Sequence, residues 1–170
     1  SGSLGWQERY GDQEVSQFRS AQMIADKWDC SRDEMESFAV ESHERAIRAR
    51  AEGRFDAEIA PFGEVMADEG PREPNWDKIR SLRPLEEGGT ITAAVASQIS
   101  DASAALLIAS EQAVEDHGLT PRARIHHLSV RADDPVWMLT APIPATRYAL
   151  QKSGLTMDDI DLVEINEAFA

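Results

Sequence analysis

The sequence predicts an α/β fold for the second half of the chain, preceded by a helical, loop-rich segment. Strand-like and helix-like patterns alternate after residue 88, which is typical of α/β proteins. Residues 16–85 instead carry helical patterns and little strand pattern. The chain has 170 residues and is 42% apolar, which suffices for a domain with a core. We therefore expect a boundary between Arg83 and Gly89.

The first half begins with a polar segment, residues 1–15, that is predicted to be a loop. Residues 16–28 place apolar side chains on one face of a predicted helix. The next helix is better marked, because Ser31 and Glu34 have the spacing of a capping box. It is predicted to end at Gly53.

The stretch around which the second half is organised is 88–110, GGTITAAVASQISDASAALLIAS. A β-branched run at 90–92 is followed by a small-residue bend at 93–97, and then by a helix expected from about 101 to 117. The bend carries only small side chains, so a ligand or a second backbone can approach it closely.

The other elements are predicted from shorter patterns. The last apolar run lacks alternation, as expected for a strand that is buried on both faces. These elements are a short strand at 57–59, a helix at 76–82, a strand at 124–130, a helix at 145–153 and the buried strand at 160–165.

Composition excludes several classes of function. The formal net charge is −14 and the pI is about 4.6, which argues against a nucleic-acid or membrane partner. No window approaches the roughly 20 apolar residues of a membrane span. The single cysteine, Cys30, permits no internal disulfide. With no leader pattern visible, we expect a cytoplasmic protein.

The histidines and the cysteine do not predict a metal centre. His126 and His127 are adjacent in a predicted strand, so they point to opposite faces and do not chelate one ion. His43 is interpreted as an ordinary residue on the polar face of its helix. Cys30 precedes a helix, where a reactive thiol is conceivable, but no basic partner is evident and an inert cysteine is favoured.

Several blocks together resemble the thiolase family of acyl-CoA acyltransferases. They are the bend segment at 88–110, GLTPRARI, and DPVWMLTAPIPATRYALQKSGLTMDDIDLVEINEAFA. The most specific block is NEAFA, residues 166–170, and the resemblance extends over nearly the whole chain from about residue 16. It implies an acetyl-CoA acetyltransferase or 3-ketoacyl-CoA thiolase.

The resemblance implies an internal fragment of such an enzyme, with a partial thiolase-like layered fold. Residues 1–85 would be the helical loop domain that receives coenzyme A, and residues 86–170 the beginning of the C-terminal half. The family's nucleophilic and acid/base cysteine blocks are not found here, and Cys30 matches neither. Alone, the chain is expected to be inactive and to expose apolar faces. The family also implies a homo-oligomer, a dimer or tetramer, with coenzyme A as substrate and no tightly bound cofactor.

Site residues are carried over by position. Asn166 matches the asparagine that holds a water in the oxyanion site, and its alternative role is a helix N-cap. The others are expected to bind coenzyme A or the acyl chain. They are Arg72 near the adenine, Ala93 and Ala96 at the close approach, Ser97 on the pantetheine arm, Met138 in the pantetheine tunnel and Phe169 at the acyl pocket. The alternative for Arg72 is a solvated loop arginine, and the alternative for Met138 and Phe169 is an ordinary core residue.

The chain departs from the family at the bend, where GTVTAGNAS is usual. Ala94 and Val95 replace the Gly and Asn, which puts the local hydrogen-bond network in doubt. We interpret this as a divergent branch that acts on bulkier fatty or steroid-derived acyl chains. The alternatives are a non-catalytic CoA-binding or scaffold module, and an acidic α/β domain whose likeness is structural alone.

Overall fold

A computed structural model describes residues 3–170 of the chain. It divides them into two compact units, and each is described here by itself. The first unit consists of residues 3–99, 134–139 and 164–170, and the second of residues 100–133 and 140–163.

The first unit is built mainly from helices, each beginning at a polar residue whose side chain accepts a backbone N–H. Such caps satisfy donors that have no partner inside the helix. The helices are α1 (Leu4–Tyr10), α2 (Gln17–Lys27), α3 (Arg32–Ala51) and α4 (Trp76–Ser81), with Ser3, Ser16, Ser31 and Asn75 as their caps. The helices predicted at 16–28, 31–53 and 76–82 are therefore confirmed.

The capping box of α3 is confirmed in both directions. The Ser31 hydroxyl accepts the Glu34 N–H at 3.3 Å, and the Glu34 carboxylate accepts the Ser31 N–H at 2.8 Å. The Ser31 hydroxyl also donates to the Glu34 carboxylate at 2.7 Å, and this bond, together with the one from the Ser31 N–H, holds the pKa of Glu34 below its ordinary value. The loop predicted for residues 1–15 is wrong in part, because α1 lies there. The ring of Trp6 lies 4.5 Å from that of Tyr10, one turn further along α1.

No strand forms at 90–92, although the β-branched run predicts one. Thr92 makes only an isolated bridge with Pro84. A side chain of α2 replaces a partner strand, since the Gln22 amide oxygen accepts the N–H groups of Thr90 at 2.6 Å and Ile91 at 3.3 Å. One glutamine thus satisfies backbone donors that a neighbouring strand would otherwise take.

The core of the first unit lies where α2 and α3 meet the bend at 93–97. Because its members come from distant parts of the sequence, the core fixes the bend against both helices. It consists of Ala21 and Ala25 from α2, Met35 from α3, and Ile91 and Val95, with Ala39, Leu139 and Phe169 packed against them.

The second unit contains α5 (Glu111–His117), α6 (Pro142–Ser153) and a 3₁₀ turn at Met157–Asp159. Both α-helices end at glycines, Gly118 and Gly154, which adopt the left-handed conformation that other residues avoid. The helix predicted at 145–153 is confirmed and begins slightly earlier. The helix predicted from 101 to 117 is wrong over its first part, because residues 101–110 have no regular secondary structure.

The strands predicted at 57–59, 124–130 and 160–165 are not formed. Residues 57–59 are largely turn, and the other two segments have no regular secondary structure. Within residues 3–170, β pairing is limited to isolated bridges. The apolar side chains of the would-be strands stay exposed, for example Val130 at 92% and Leu162 at 90%. Strand pattern without a pairing partner gives an extended segment, not a strand.

Candidate functional site

The bend and the NEAFA segment lie side by side in the first unit. The Ser97 N–H donates to the carbonyl of Ala168 at 2.9 Å, and the Ala170 N–H donates to that of Val95 at 2.8 Å. Ala96 and Phe169 form an antiparallel bridge between these contacts. Backbone pairing therefore brings the expected CoA-binding bend next to the expected oxyanion residue.

Asn166 stands at the beginning of this junction and is exposed. Its carbonyl accepts the Ala168 N–H at 3.0 Å, which closes a tight turn. Its side-chain amide makes no hydrogen bond within residues 3–170, so donor capacity is available for a ligand or water. Residues 167–170 form a bend and a bridge, not a helical turn, so the N-cap alternative has no helix to cap there.

The predicted bend residues form an open surface. Ala93 and Ser97 are exposed and Ala96 is half-buried. Val95, by contrast, is only 3% exposed and belongs to the core. The Val95 carbonyl accepts the Ala170 N–H, and the Val95 side chain contributes packing where the family's usual Asn would be polar.

Phe169 packs as its core alternative predicts, and its role at an acyl pocket stays a prediction. It is half-buried and packs against the core cluster of the first unit. Its ring meets that of Phe18 edge-to-face, with centroids 5.9 Å apart. This is a favourable aromatic geometry. The pair places an aromatic surface immediately beside the turn at Asn166.

Arg72 is held against the bend although it lies in a loop. Its guanidinium donates to the Gln98 side-chain oxygen at 2.6 Å, and its backbone N–H approaches His43 Nδ1 at 3.4 Å. Burial, with the charge of Arg72, lowers the pKa of His43, and Glu167 opposes that shift. His43 is therefore half-buried between opposite charges, and its interpretation as an ordinary polar-face residue is incomplete.

Met138 lies on a separate stretch of the first unit, residues 134–139. The Ser20 hydroxyl of α2 donates to the Val136 carbonyl at 2.9 Å and fixes this stretch. Met138 has a positive φ of 49° and is 42% exposed. No contact joins it to the bend within the described residues, so its role in a pantetheine tunnel stays a prediction.

Sequence reasoning considers Glu167 as a residue that orients its neighbours, but it does not place Ser42, His43 or Gln98 at the site. The Ser42 hydroxyl donates to the Glu167 carboxylate at 2.5 Å, across 125 residues of sequence. No local pattern could reveal such a contact, because it depends on how α3 meets the end of the chain. The one available signal was the position of Glu167 directly after Asn166.

The remaining candidates do not add a metal or a nucleophile. Cys30 is exposed and its sulfur lies 3.8 Å from the Trp28 carbonyl. Among residues 3–170, no group of three or more His, Cys, Asp or Glu side chains could hold a metal ion. Nor is any helix described there long and apolar enough to cross a membrane.

A surface cavity of about 410 Å³ lies along α3, away from the bend residues. Three of its five lining residues are acidic, which makes it a poor match for the phosphates of coenzyme A. It is lined by Asp33, Glu34, Ser37, Phe38 and Glu41.

Comparison with known proteins gives consistent matches. The family model for the thiolase N-terminal domain matches residues 13–112, and that for the thiolase C-terminal domain matches residues 119–170. Steroid 3-ketoacyl-CoA thiolase FadA6 of Mycobacterium tuberculosis is 62% identical over 172 residues, covering 99% of this chain. A 3-ketoacyl-CoA thiolase of Vibrio cholerae is 41% identical over 89% of this chain. The chain spans 42% of the length of each.

Solved structures agree with these relatives. Human mitochondrial 3-ketoacyl-CoA thiolase in complex with CoA aligns with a TM-score of 0.84 and 39% identity, over 89% of this chain and 40% of that one. The same enzyme in another crystal structure gives a TM-score of 0.80 at 35% identity, over 89% of this chain and 41% of that one. The predicted fold class, a partial thiolase-like α/β fold, is confirmed. The assignment of residues 1–85 and 86–170 to separate domains stays a prediction. With both family models matched in order along it, the chain belongs to the thiolase family.

Proposed function

We propose that this chain is the CoA-binding and oxyanion-site portion of an acyl-CoA acyltransferase that cleaves or forms 3-ketoacyl-CoA. The observation that carries the proposal is the backbone pairing of the bend with the NEAFA segment. It supports a single site in which Ser97 meets the pantetheine arm while Asn166 faces the reacting carbonyl. Arg72, linked to Gln98 at the edge of the bend, would meet the adenine end of coenzyme A.

The chemistry assigns distinct tasks to different parts of such an enzyme. A thiolate attacks the 3-keto carbonyl, the bond between the α-carbon and that carbonyl breaks, and the acyl group stays on sulfur as a thioester. The α-carbon of the departing acetyl-CoA takes a proton from an acid. Asn166 would stabilise the developing oxyanion through a held water. The thiolate and the acid are roles for which this chain offers no matching cysteine, since Cys30 fits neither block.

The acyl group is proposed to be bulky, of the fatty or steroid-derived kind. This refines the divergence noted at Ala94 and Val95, and the 62% identity to a steroid 3-ketoacyl-CoA thiolase supports it. The test compares two substrates, a short-chain and a steroid-side-chain 3-ketoacyl-CoA. It measures how fast the native polypeptide that contains this sequence cleaves each of them. A preference of less than about tenfold in kcat/KM for the bulky substrate would contradict it.

The test of the site itself is calorimetric titration of this chain with coenzyme A. Ser97→Tyr places a phenol ring on the open bend and should abolish measurable heat. Ser103→Tyr adds the same ring at an exposed position outside the bend and should bind like wild type. Undiminished binding by Ser97→Tyr would overturn the assigned site.

A non-catalytic CoA-binding or scaffold module is the second candidate, because the pairing of the bend with the NEAFA segment would serve CoA binding without turnover as well. Incubating the native polypeptide with acetoacetyl-CoA and coenzyme A decides between the two. Formation of acetyl-CoA supports the acyltransferase, whereas binding without turnover supports the module.

Three further expectations are a homo-oligomer, a cytoplasmic location and the absence of a tightly bound cofactor. Light scattering tests the oligomer, cell fractionation tests the location, and mass spectrometry of the native protein tests for a bound cofactor.

A further inference from the structure

The side chain that follows Asn166 is fixed to the middle of α3. Glu167 accepts the Ser42 hydroxyl at 2.5 Å, a distance typical of a strong O–H to carboxylate hydrogen bond. Glu167 itself is exposed and Ser42 is half-buried. An exposed carboxylate that could move freely is thus held in one place by a helix that is 125 residues away in the sequence.

The residues after Glu167 are held by the bend and by α2. Ala168 and Ala170 pair with the bend through backbone hydrogen bonds, and the Phe169 ring packs against Phe18. Every residue after Asn166 therefore has a defined contact, while the Asn166 side chain has none within the described residues. The turn at Asn166 is set by its neighbours and leaves its amide available.

The position of the Glu167 carboxylate matters for an oxyanion that forms near Asn166, because both are negatively charged. An oxyanion that forms near Asn166 would be repelled by a carboxylate on the adjacent residue. The Ser42 hydroxyl holds that carboxylate on α3 and partly neutralises it by hydrogen bonding. The next residue of α3 is His43, whose Nδ1 accepts the Arg72 backbone N–H and whose pKa is raised by the nearby charge of Glu167, against the larger lowering effect of burial. One turn of α3 therefore contacts both ends of the proposed site.

We propose that Ser42 is a positioning residue for the Asn166 site. Its hydroxyl anchors Glu167, fixes the turn at Asn166 and keeps the neighbouring negative charge away from the developing oxyanion. This inference rests on the proposed function. Ser42 touches neither substrate nor the reacting atoms, so it acts through Glu167.

The first test measures the contact alone, by amide hydrogen exchange resolved to single amides in the native polypeptide that contains this sequence. Ser42→Ala should speed exchange at the Ala168 and Ala170 amides at least about fivefold, since a hydrogen bond to a charged group is lost. Ser42→Thr keeps a hydroxyl and should restore protection. Ser37→Ala, at an exposed serine on the same helix, should change neither amide. Unchanged exchange at both amides in Ser42→Ala would overturn the proposal.

The second test measures catalysis in the native polypeptide that contains this sequence. Ser42→Ala should lower kcat about tenfold with little change in KM for coenzyme A, and Ser42→Thr should recover most of it. In the double variant Ser42→Ala with Glu167→Gln, removing the charge should restore part of kcat. A purely structural role predicts a further loss there, and that result would overturn the proposal.

The two tests also separate this inference from the proposed function. If the wild-type native polypeptide binds coenzyme A but never cleaves 3-ketoacyl-CoA, the proposed function fails and the catalytic role of Ser42 fails with it. The exchange experiment would still decide whether Ser42 fixes the turn. If wild type is active and Ser42→Ala is equally active, only the present inference is overturned.

Discussion

The buried ion pair between Arg32 and Glu36 at the start of α3 allows a sharp test of what stabilises the first unit. The Glu36 side chain is 1% exposed and that of Arg32 29%, and their charged atoms lie 2.7 Å apart. Arg32 also donates to the carbonyls of Ile79, Arg80 and Leu82 at the end of α4, at 3.3, 3.3 and 3.0 Å. One guanidinium thus neutralises a buried carboxylate and caps a second helix.

Replacing Arg32 by Ala should therefore be costly. It leaves a buried carboxylate without its partner, which typically costs about 3–5 kcal/mol. Because part of Arg32 is exposed and water can reach the vacated space, we expect the lower end, about 3 kcal/mol. Glu36→Gln keeps a hydrogen-bond acceptor and leaves Arg32 on α4, so it should cost less, about 1–2 kcal/mol.

The matched control lies on the same helix with the same residue types and the same spacing. Arg45 and Glu41 pair at 2.5 Å, but their side chains are 66% and 57% exposed. Arg45→Ala should cost no more than about 0.5 kcal/mol. Urea unfolding followed by far-ultraviolet circular dichroism gives all three free energies. Equal losses for Arg32→Ala and Arg45→Ala would refute the argument that burial decides the strength of the pair.

Three further predictions concern pH and exposed apolar surface. The hydrogen bonds from Ser31 hold the pKa of Glu34 below its ordinary value of 4.5. The stability that they add should be present above pH 4.5 and should be lost as the pH falls through the lower pKa of the folded state. Circular dichroism should show this loss of helix in the wild type but not in Glu34→Gln. Burial and the Arg72 charge lower the pKa of His43 below 6.5, which favours the neutral ring. Stability linked to His43 should therefore fall as pH drops from that value, and Arg72→Gln should raise the midpoint of the His43 ring titration by NMR. The exposed apolar segment 104–109 should bind a hydrophobic dye, and replacing its leucines with serine should reduce the dye signal; a chain that binds no dye would contradict this.

The helices could be predicted because their signals are local. The capping box of Ser31 and Glu34, the glycines that end α5 and α6, and the apolar faces of α2 and α3 all act within a few residues. Such signals need no tertiary partner. α1 was not predicted, because its sequence is mostly polar. The helix is supported by the cap at Ser3 and by the contact between the rings of Trp6 and Tyr10.

The strands could not be predicted in the same way, because a strand exists only with a partner. Residues 124–130 and 160–165 have strand-like composition, yet within residues 3–170 they form no strand and are mostly exposed. At 90–92 a single side chain, that of Gln22, takes the place of a partner strand, and no pattern in the sequence predicts this. Apolar composition predicts burial only where a second surface is present.

The sequence by itself determined the family, the caps and extents of most helices, and the identity of the residues placed at the bend and in NEAFA. Only the tertiary structure decided that these segments pair, that Val95 belongs to the core, and that Ser42 holds Glu167. The reason is physical. Caps and helix faces depend on contacts a few residues apart, whereas the site depends on contacts between segments that the sequence leaves far apart and that only packing brings together.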